Sequence, residues 1–220
     1  MKQTLLAVVL AVTAVSAQAE DAKNFVHGQY TFRDTIAGQS DNPNRQGVNL
    51  TVGRNIGYGI TLDANTQFRS ENGSGGNDTT RLETGATFQL PVTNDISLYT
   101  RGAIGYKFVD GQETNTVTVK SGHGHHARTT TYNVVGEDND DFTYYSVEPG
   151  VKLQLTSALN VRAGYRYRTA FNDSINDKTN TVRVGAEYAL DKTQSVTLGV
   201  DRAYGDSEFI GVNVGYAVKF

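Results

Sequence analysis

The feature that most constrains the fold of this chain is an alternation of apolar and polar side chains that recurs from residue 24 to residue 220. Successive side chains of a β-strand point to opposite faces of the sheet, so a period of two predicts strands with one apolar and one polar face. The last nine letters, VNVGYAVKF, are one example. Ten segments carry the pattern: 24–34, 45–54, 59–70, 80–90, 96–109, 142–155, 159–171, 181–190, 195–203 and 209–220.

The connections between these segments alternate in length. Short turns lie at 54–58, 91–95, 156–158 and 191–194, whereas longer loops rich in Gly, Asn and Asp lie at 35–44, 70–79, 110–141, 172–180 and 204–207. Short turns at one end and long loops at the other, joining amphipathic strands of about ten residues, are typical of outer-membrane β-barrels. We therefore predict an all-β, antiparallel, up-and-down transmembrane barrel of about ten strands, closed so that no backbone edge meets hydrocarbon.

Two alternative folds are open. A soluble sandwich or lipocalin-like barrel would turn its apolar face inward. Aromatic residues at the strand ends favour the membrane barrel, because rings of this kind prefer the headgroup level; they are Phe68, Tyr106, Phe108, Tyr145 and Tyr167 near the long loops, and Phe88, Tyr188 and Phe220 near the short turns. Twelve strands would result if 114–120 and 128–135 crossed the membrane, but both are short and Thr-rich on both faces, which favours an extracellular hairpin instead.

Residues 1–19 have the layout of a cleaved signal peptide, with basic Lys2, an apolar run over 5–15 and the small-x-small ending Ala17-Gln18-Ala19. Residues 20–220 then form one barrel domain with a long extracellular loop at 110–141. The mature chain is predicted to be exported to the outer membrane. A net charge of −3 gives no reason to expect a nucleic-acid partner, and zero cysteines exclude disulfides and thiolate chemistry. We expect no cofactor.

The final strand, which ends at Phe220, resembles the C-terminal assembly signal of bacterial outer-membrane barrels, with apolar or aromatic residues at every second position. The resemblance implies recognition of Phe220 by the barrel-assembly machinery. It also implies that outer-membrane lipid and lipopolysaccharide surround the protein.

The polar face of the predicted barrel carries more positive than negative charge. Its bases outnumber its acids by seven, since the bases are Arg33, Arg45, Arg69, Arg81, Arg101, Lys107, Lys152, Arg162, Arg166, Arg168, Arg183 and Lys219, and the acids are Asp63, Glu83, Glu148, Glu187 and Asp201. Rings of Arg or Lys favour anions in pores, and many other inward positions are glycine, which predicts free volume. We expect a porin-like channel for small anionic or acidic-sugar solutes. The alternative is a lumen plugged by ion pairs in a structural or adhesive barrel that acts through its loops.

Residues 159–168, LNVRAGYRYR, resemble a strand of the oligogalacturonate-specific porins, a family of small channels with Arg-lined lumens. The resemblance implies that Arg162, Arg166 and Arg168 face the lumen and meet acidic oligosaccharides. That family has twelve strands, whereas this sequence predicts ten.

Three of the four histidines, His123, His125 and His126, lie together in the longest loop. Imidazoles at this density are weak candidate ligands for Zn²⁺, Cu²⁺ or Ni²⁺, and a solvated loop tip is the favoured interpretation, because flexible ligands lose ordering entropy on binding. The remaining histidine, His27, lies near the start of the first strand, away from the loop end where barrel enzymes place their catalytic groups. With no acid–base pair in view, we expect no enzymatic activity.

Overall fold

The structure is a computed structural model that describes residues 24–34, 45–71, 78–121, 128–138, 141–172, 175, 177–205 and 208–220, with the backbone alone described at 34, 71, 110–121 and 128–138. The described residues form eleven strands: β1 (Asn24–Asp34), β2 (Arg45–Gly57), β3 (Ile60–Glu71), β4 (Asp78–Pro91), β5 (Ile96–Ser121), β6 (Arg128–Asp138), β7 (Phe142–Gln154), β8 (Leu159–Ala170), β9 (Thr179–Ala189), β10 (Gln194–Gly205) and β11 (Phe209–Lys219). The predicted signal peptide lies outside these residues.

Ten of the described strands close into one antiparallel barrel. Each strand from β1 to β5 pairs with the next, β5 then pairs with β7, and the order continues to β11. Pairing of β11 with β1 completes the circle, with Phe25 opposite Lys219 and the amide of Asn24 donating to the carbonyl of Phe220 at 2.8 Å. The predicted all-β, up-and-down barrel of ten strands is confirmed.

The long strand β5 has two parts with different partners. As far as Asp110 it pairs with β4, and as far as Lys107 with β7, so this part belongs to the barrel. From Gly111 to Ser121 it pairs with β6 instead. The segments 114–120 and 128–135 therefore extend the barrel as a hairpin, as the sequence favours, and the twelve-strand alternative is wrong.

The two faces of the strands meet opposite environments. The apolar face points outward, with Leu198 and Val214 each 56% exposed, while the polar face points into the lumen, where Glu83, Glu148 and Asn213 are buried. This orientation rules out the soluble barrel with an apolar interior, because exposed aliphatic side chains on every wall require lipid around them. The described residues include no helix long and apolar enough to span a membrane.

The inner turns, at the opposite end from the β5–β6 hairpin, are fixed by local hydrogen bonds. In the turn between β9 and β10, the amides of Thr193 and Gln194 donate to one carboxylate oxygen of Asp191, at 2.7 and 2.8 Å. These donors lower the pKa of Asp191. In the turn between β2 and β3, Gly57, Tyr58 and Gly59 all have positive φ, a conformation that glycine adopts without strain.

Replacing residues 112–137 by an Asn-Gly turn should leave the barrel folded. Gly111 and Asp138 are paired ends, which a two-residue turn is able to join, and every pairing of β5 with β4 and β7 is retained. Heat-modifiable migration in gels and the thermal unfolding midpoint would measure the outcome. Deleting residues 183–201, which removes parts of two barrel strands, is the control expected to abolish folding, and loss of folding in the hairpin variant would contradict the assignment.

Candidate functional site

Oppositely charged side chains form ion pairs in the middle of the lumen. The guanidinium of Arg101 on β5 bonds both oxygens of Asp63, at 2.5 and 3.1 Å, and reaches Glu83 at 2.6 Å. From β8, three strands along the barrel from β4, Arg166 donates to the same Glu83 at 2.6 and 2.7 Å. Glu83 on β4 therefore binds one guanidinium from the adjacent strand β5 and one from β8, which does not pair with β4.

A second group of ion pairs lies beside the first. Arg183 of β9 donates to Glu148 at 2.8 Å and to Asp201 at 3.3 Å. The hydroxyl of Tyr99 donates to Glu148 at 3.2 Å, and that of Tyr144 donates to Glu83 at 3.1 Å. Hydrogen bonds of this charge-assisted kind are strong in a low-dielectric surrounding. We call Asp63, Glu83, Arg101, Glu148, Arg166, Arg183 and Asp201 the lumen network.

Four cations form ion pairs with all five of the predicted inward acids. Four of these acids belong to the lumen network, and the fifth, Glu187, accepts from Lys219 at 3.0 Å near the inner end. Because Arg101 and Arg183 each bind two carboxylates, fewer bases are neutralised than a one-to-one pairing would require. The surplus of positive charge must therefore lie elsewhere in the lumen.

Tyrosine rings fill the space that inward glycines leave. Tyr99 lies opposite Gly150 and its ring covers that glycine and Gly164, while a β-carbon at Gly105 would lie 2.5 Å from the ring of Tyr144. The expectation that these glycines leave free volume is wrong, since the space is occupied by rings from neighbouring strands. A gap of about 20 Å³ beside Tyr99 is about large enough for one water molecule.

The surplus charge collects at the outer end of the lumen. Six of the ten barrel strands, β1 to β5 and β8, each carry one cation near their outer end. We call Arg33, Arg45, Arg69, Arg81, Lys107 and Arg168 the outer cation cluster.

One cation comes from each of these six strands, β1 to β5 and β8, and several lie directly beside another positive charge. In the strand register Arg33 lies opposite Arg45, and Arg81 lies opposite Lys107. Like charges directly across a strand pair destabilise a sheet. Arg69, which is only 8% exposed, is repelled by Arg33 and Arg81. The arrangement is therefore one that a bound anion would stabilise.

Aromatic rings and one acid partly compensate the cluster. Arg33 lies 3.7 Å from the ring centroid of Phe209, Lys107 lies 4.7 Å from that of Phe142, and such contacts favour the cation. Asp177, between β8 and β9, accepts from Arg168 at 3.1 Å. Burial on its own raises the pKa of the Asp177 carboxyl, but the charges of Arg168 and Lys107 outweigh it and leave the pKa below its ordinary value.

The ten predicted lumen residues thus divide into three groups. Arg101, Arg166 and Arg183 belong to the lumen network. The outer cation cluster contains Arg33, Arg69, Arg81, Lys107 and Arg168. The remaining two, Lys152 and Arg162, lie opposite each other toward the inner end.

The histidines divide between described and undescribed parts of the chain. His123, His125 and His126 lie outside the described residues, so their metal site stays a prediction. His27 lies near the inner end and its Nε2 is 2.9 Å from the hydroxyl of Thr197. Within the described ranges, no group of three or more His, Cys, Asp and Glu side chains is placed to hold a metal ion.

Sequence reasoning missed the roles of Tyr99, Tyr144 and Asp177. For the tyrosines a signal was present, since the register sets each of these inward rings opposite an inward glycine, Gly150 or Gly105. No comparable signal exists for Asp177, because it lies in a loop, where the period of two does not apply.

Comparisons with known proteins agree with this architecture. The family model described as the outer membrane protein beta-barrel domain matches residues 4–200. No protein with a curated function matches the sequence.

Solved structures with a similar fold include the translocator domain of the autotransporter NalP from Neisseria meningitidis, at 10% identity and a TM-score of 0.50, covering 100% of this chain and 96% of that one. Neisserial surface protein A has 11% identity and a TM-score of 0.45, over 90% and 97% of the two chains. A KdgM porin has 12% identity and a TM-score of 0.45, over 88% and 99%. At these identities the likeness concerns the fold alone. Since the family model spans most of the sequence, the chain belongs to the outer membrane protein β-barrel domain family and is a protein of the bacterial outer membrane.

Proposed function

We propose that the barrel is a narrow, porin-like channel for small anionic solutes, acidic sugars among them. In this proposal the outer cation cluster attracts the solute from outside the cell, and the lumen network with its tyrosine rings forms the constriction. Passage is passive, since diffusion down a gradient needs only a path and a favourable field.

The outer cation cluster is the observation that carries the proposal. The described acid Asp177 bonds one base of the cluster, Arg168, and lies 4.0 Å from a second, Lys107, so the cluster as a whole keeps a surplus of positive charge. Hydrocarbon around the barrel and low-dielectric walls focus the field of such a cluster along the lumen, which raises the local concentration of anions. The Nε atoms of Arg33, Arg69 and Arg81 are buried without a hydrogen-bond partner, so they offer donors to a solute.

A second candidate function is supported by the packing at the constriction. Tyr99 and Tyr144 cover glycines of the opposite strands, and both hydroxyls are bonded to acids of the lumen network. If these rings stay in place, the lumen is plugged, and the protein is a structural or adhesive barrel that acts through its outer loops. Conductance separates the two candidates.

We propose two further partners from the surface of the barrel. The outward apolar wall contacts outer-membrane lipid, and lipopolysaccharide surrounds its outer end. Phe220, 66% exposed beyond the end of β11, serves as the signal for the barrel-assembly machinery.

The proposal includes no enzymatic activity. His27, the one histidine in the part of the chain that the structure describes, contacts the hydroxyl of Thr197 rather than a carboxylate. A general acid–base pair needs a hydrogen-bonded partner that holds the imidazole and shifts its basicity, and this contact supplies neither.

Single-channel recording in planar bilayers tests the proposed channel. We expect small conductance steps with anion preference, and a lower preference in the double variant Arg69→Gln with Arg81→Gln. A unit charge a few ångströms from a solute in water contributes about 1 kcal/mol, so removing two should lower the anion-to-cation permeability ratio by at least roughly fivefold.

The matched control for this recording is Arg202→Gln. Arg202 has the same charge and lies near the outer rim, but it is exposed, next to the outward Tyr204. Its substitution should leave the ratio unchanged. An absence of steps would favour the plugged barrel, and cation preference in the unaltered protein would contradict the anion channel.

Removing the two rings tests the constriction. The double variant Tyr99→Ala with Tyr144→Ala should raise the single-channel conductance several-fold, because the space over Gly105, Gly150 and Gly164 is opened. Tyr188→Ala, which removes a lipid-facing ring that is 51% exposed, is the control and should leave conductance unchanged. An unchanged conductance in the folded double variant would place the constriction elsewhere.

Phe220→Ala should reduce the amount of assembled barrel in cells while refolding in detergent is retained. The backbone bonds between Asn24 and Phe220 do not depend on the side chain, so the barrel still closes once formed. Phe88→Ala removes another exposed aromatic ring near the inner end of the barrel, and this variant should assemble normally. Fractionation of outer membranes measures the amount, and equal amounts for both variants would argue against the assembly signal.

A further inference from the structure

One carboxylate of the protein itself lies among the outer cations. Asp177 is only 6% exposed although it belongs to the connection between β8 and β9. Its Oδ1 accepts from Arg168 at 3.1 Å, and its Oδ2 lies 4.0 Å from the Nζ of Lys107. The carboxylate is thus held between cations of two strands, β5 and β8, that lie on either side of β7.

The position of Asp177 is set by a small apolar contact behind it. The amide of Asp177 donates to the carbonyl of Ile175 at 3.1 Å. Ile175 packs against the buried cluster of Phe142, Tyr144 and Ala170. The backbone that carries the carboxylate is therefore held in place beside the cations.

The bonding of this carboxylate is incomplete. Its Oδ2 is buried without a hydrogen-bond partner, and so are the Nε atoms of Arg81 and Arg168 nearby. Arg81 is close enough to Asp177 to attract its charge. A buried acceptor and buried donors that do not meet leave hydrogen-bonding capacity that an anion with several oxygens would satisfy.

We propose that Asp177 is a built-in occupant of an oxyanion site formed by Arg81, Lys107 and Arg168, and that a carboxylate or phosphoryl group of the solute binds by displacing it. The inference rests on the proposed anion-binding function of the outer cation cluster and names the chemical group recognised there. Asp177 neutralises the site when no solute is present, which lessens repulsion among the cations.

Displacement has a measurable consequence for affinity. A solute binds only the fraction of molecules in which Asp177 has left the site, so its apparent affinity is lower than the intrinsic one. Asp177→Asn keeps the size of the side chain and removes its charge. The affinity for an oxyanion should then rise, by roughly three- to tenfold for a charge-assisted contact of this kind.

Calorimetric titration of the full chain in detergent micelles tests the inference, with sodium phosphate and sodium acetate as separate probes. Asp191→Asn is the matched control, because Asp191 lies in the inner turn between β9 and β10, far from the cluster. It should leave both affinities unchanged. Adding Arg168→Gln to Asp177→Asn should abolish the gain.

The outcomes separate the inference from the proposed function. Tighter binding of either probe by Asp177→Asn supports displacement, and the probe with the larger gain identifies the group as phosphoryl or carboxylate. Equal affinities in the unaltered and variant proteins would overturn displacement while leaving the anion site in place, and weaker binding would overturn it by making Asp177 part of solute binding. If neither protein binds either probe, the oxyanion site is overturned, and ion selectivity in bilayers decides the proposed function independently.

Discussion

Backbone hydrogen bonding in hydrocarbon is the constraint on which the rest of this structure depends. A strand edge exposed to lipid leaves amides and carbonyls unsatisfied, so the sheet must close. Closure occurs where β1 meets β11, and the bonds between Asn24 and Phe220 extend that pairing to the chain end. Once ten strands form a circle, alternate side chains necessarily face a narrow lumen, and the interior must be polar because the apolar face is needed for lipid.

A polar interior of this width has to satisfy its own charges. Glu83 receives Arg101 from the adjacent strand β5 and Arg166 from β8, which does not pair with β4, so one carboxylate joins strands that share no backbone hydrogen bonds. Inward glycines have a related role, since Gly105 and Gly150 allow Tyr144 and Tyr99 to lie flat across neighbouring strands and reach Glu83 and Glu148. Ring packing and the binding of the acids therefore depend on each other, because the glycines leave room for the tyrosine rings and the hydroxyls of these rings then reach the acids.

The fold was predictable from sequence because its signals are local. The segment 24–34 coincides with β1, and the lengths of the connections place the turns and loops at opposite ends of the barrel. The partners within the lumen were not predictable, because Glu83 and Arg166 are 83 residues apart and meet only through closure of the barrel. Counting the charged residues on the inward face of each strand gives the surplus of positive charge. The strand register and the reach of the side chains decide which cations pair with the acids. Asp177 enters the site from a loop, beyond the range of any strand pattern.

The charges in the middle of the lumen are paired, whereas surplus positive charge lies toward its ends, and this division follows from depth in the bilayer. An unpaired charge is most costly at the centre of the bilayer, where the least water reaches it, and least costly near the ends. Arg101 and Arg183 accordingly hold two carboxylates each, while Lys152 and Arg162 lie opposite each other near the inner end and the six cations of the outer cluster lie at the mouth. The position of the outer cation cluster at the end open to the surroundings is the basis of the anion binding that we propose.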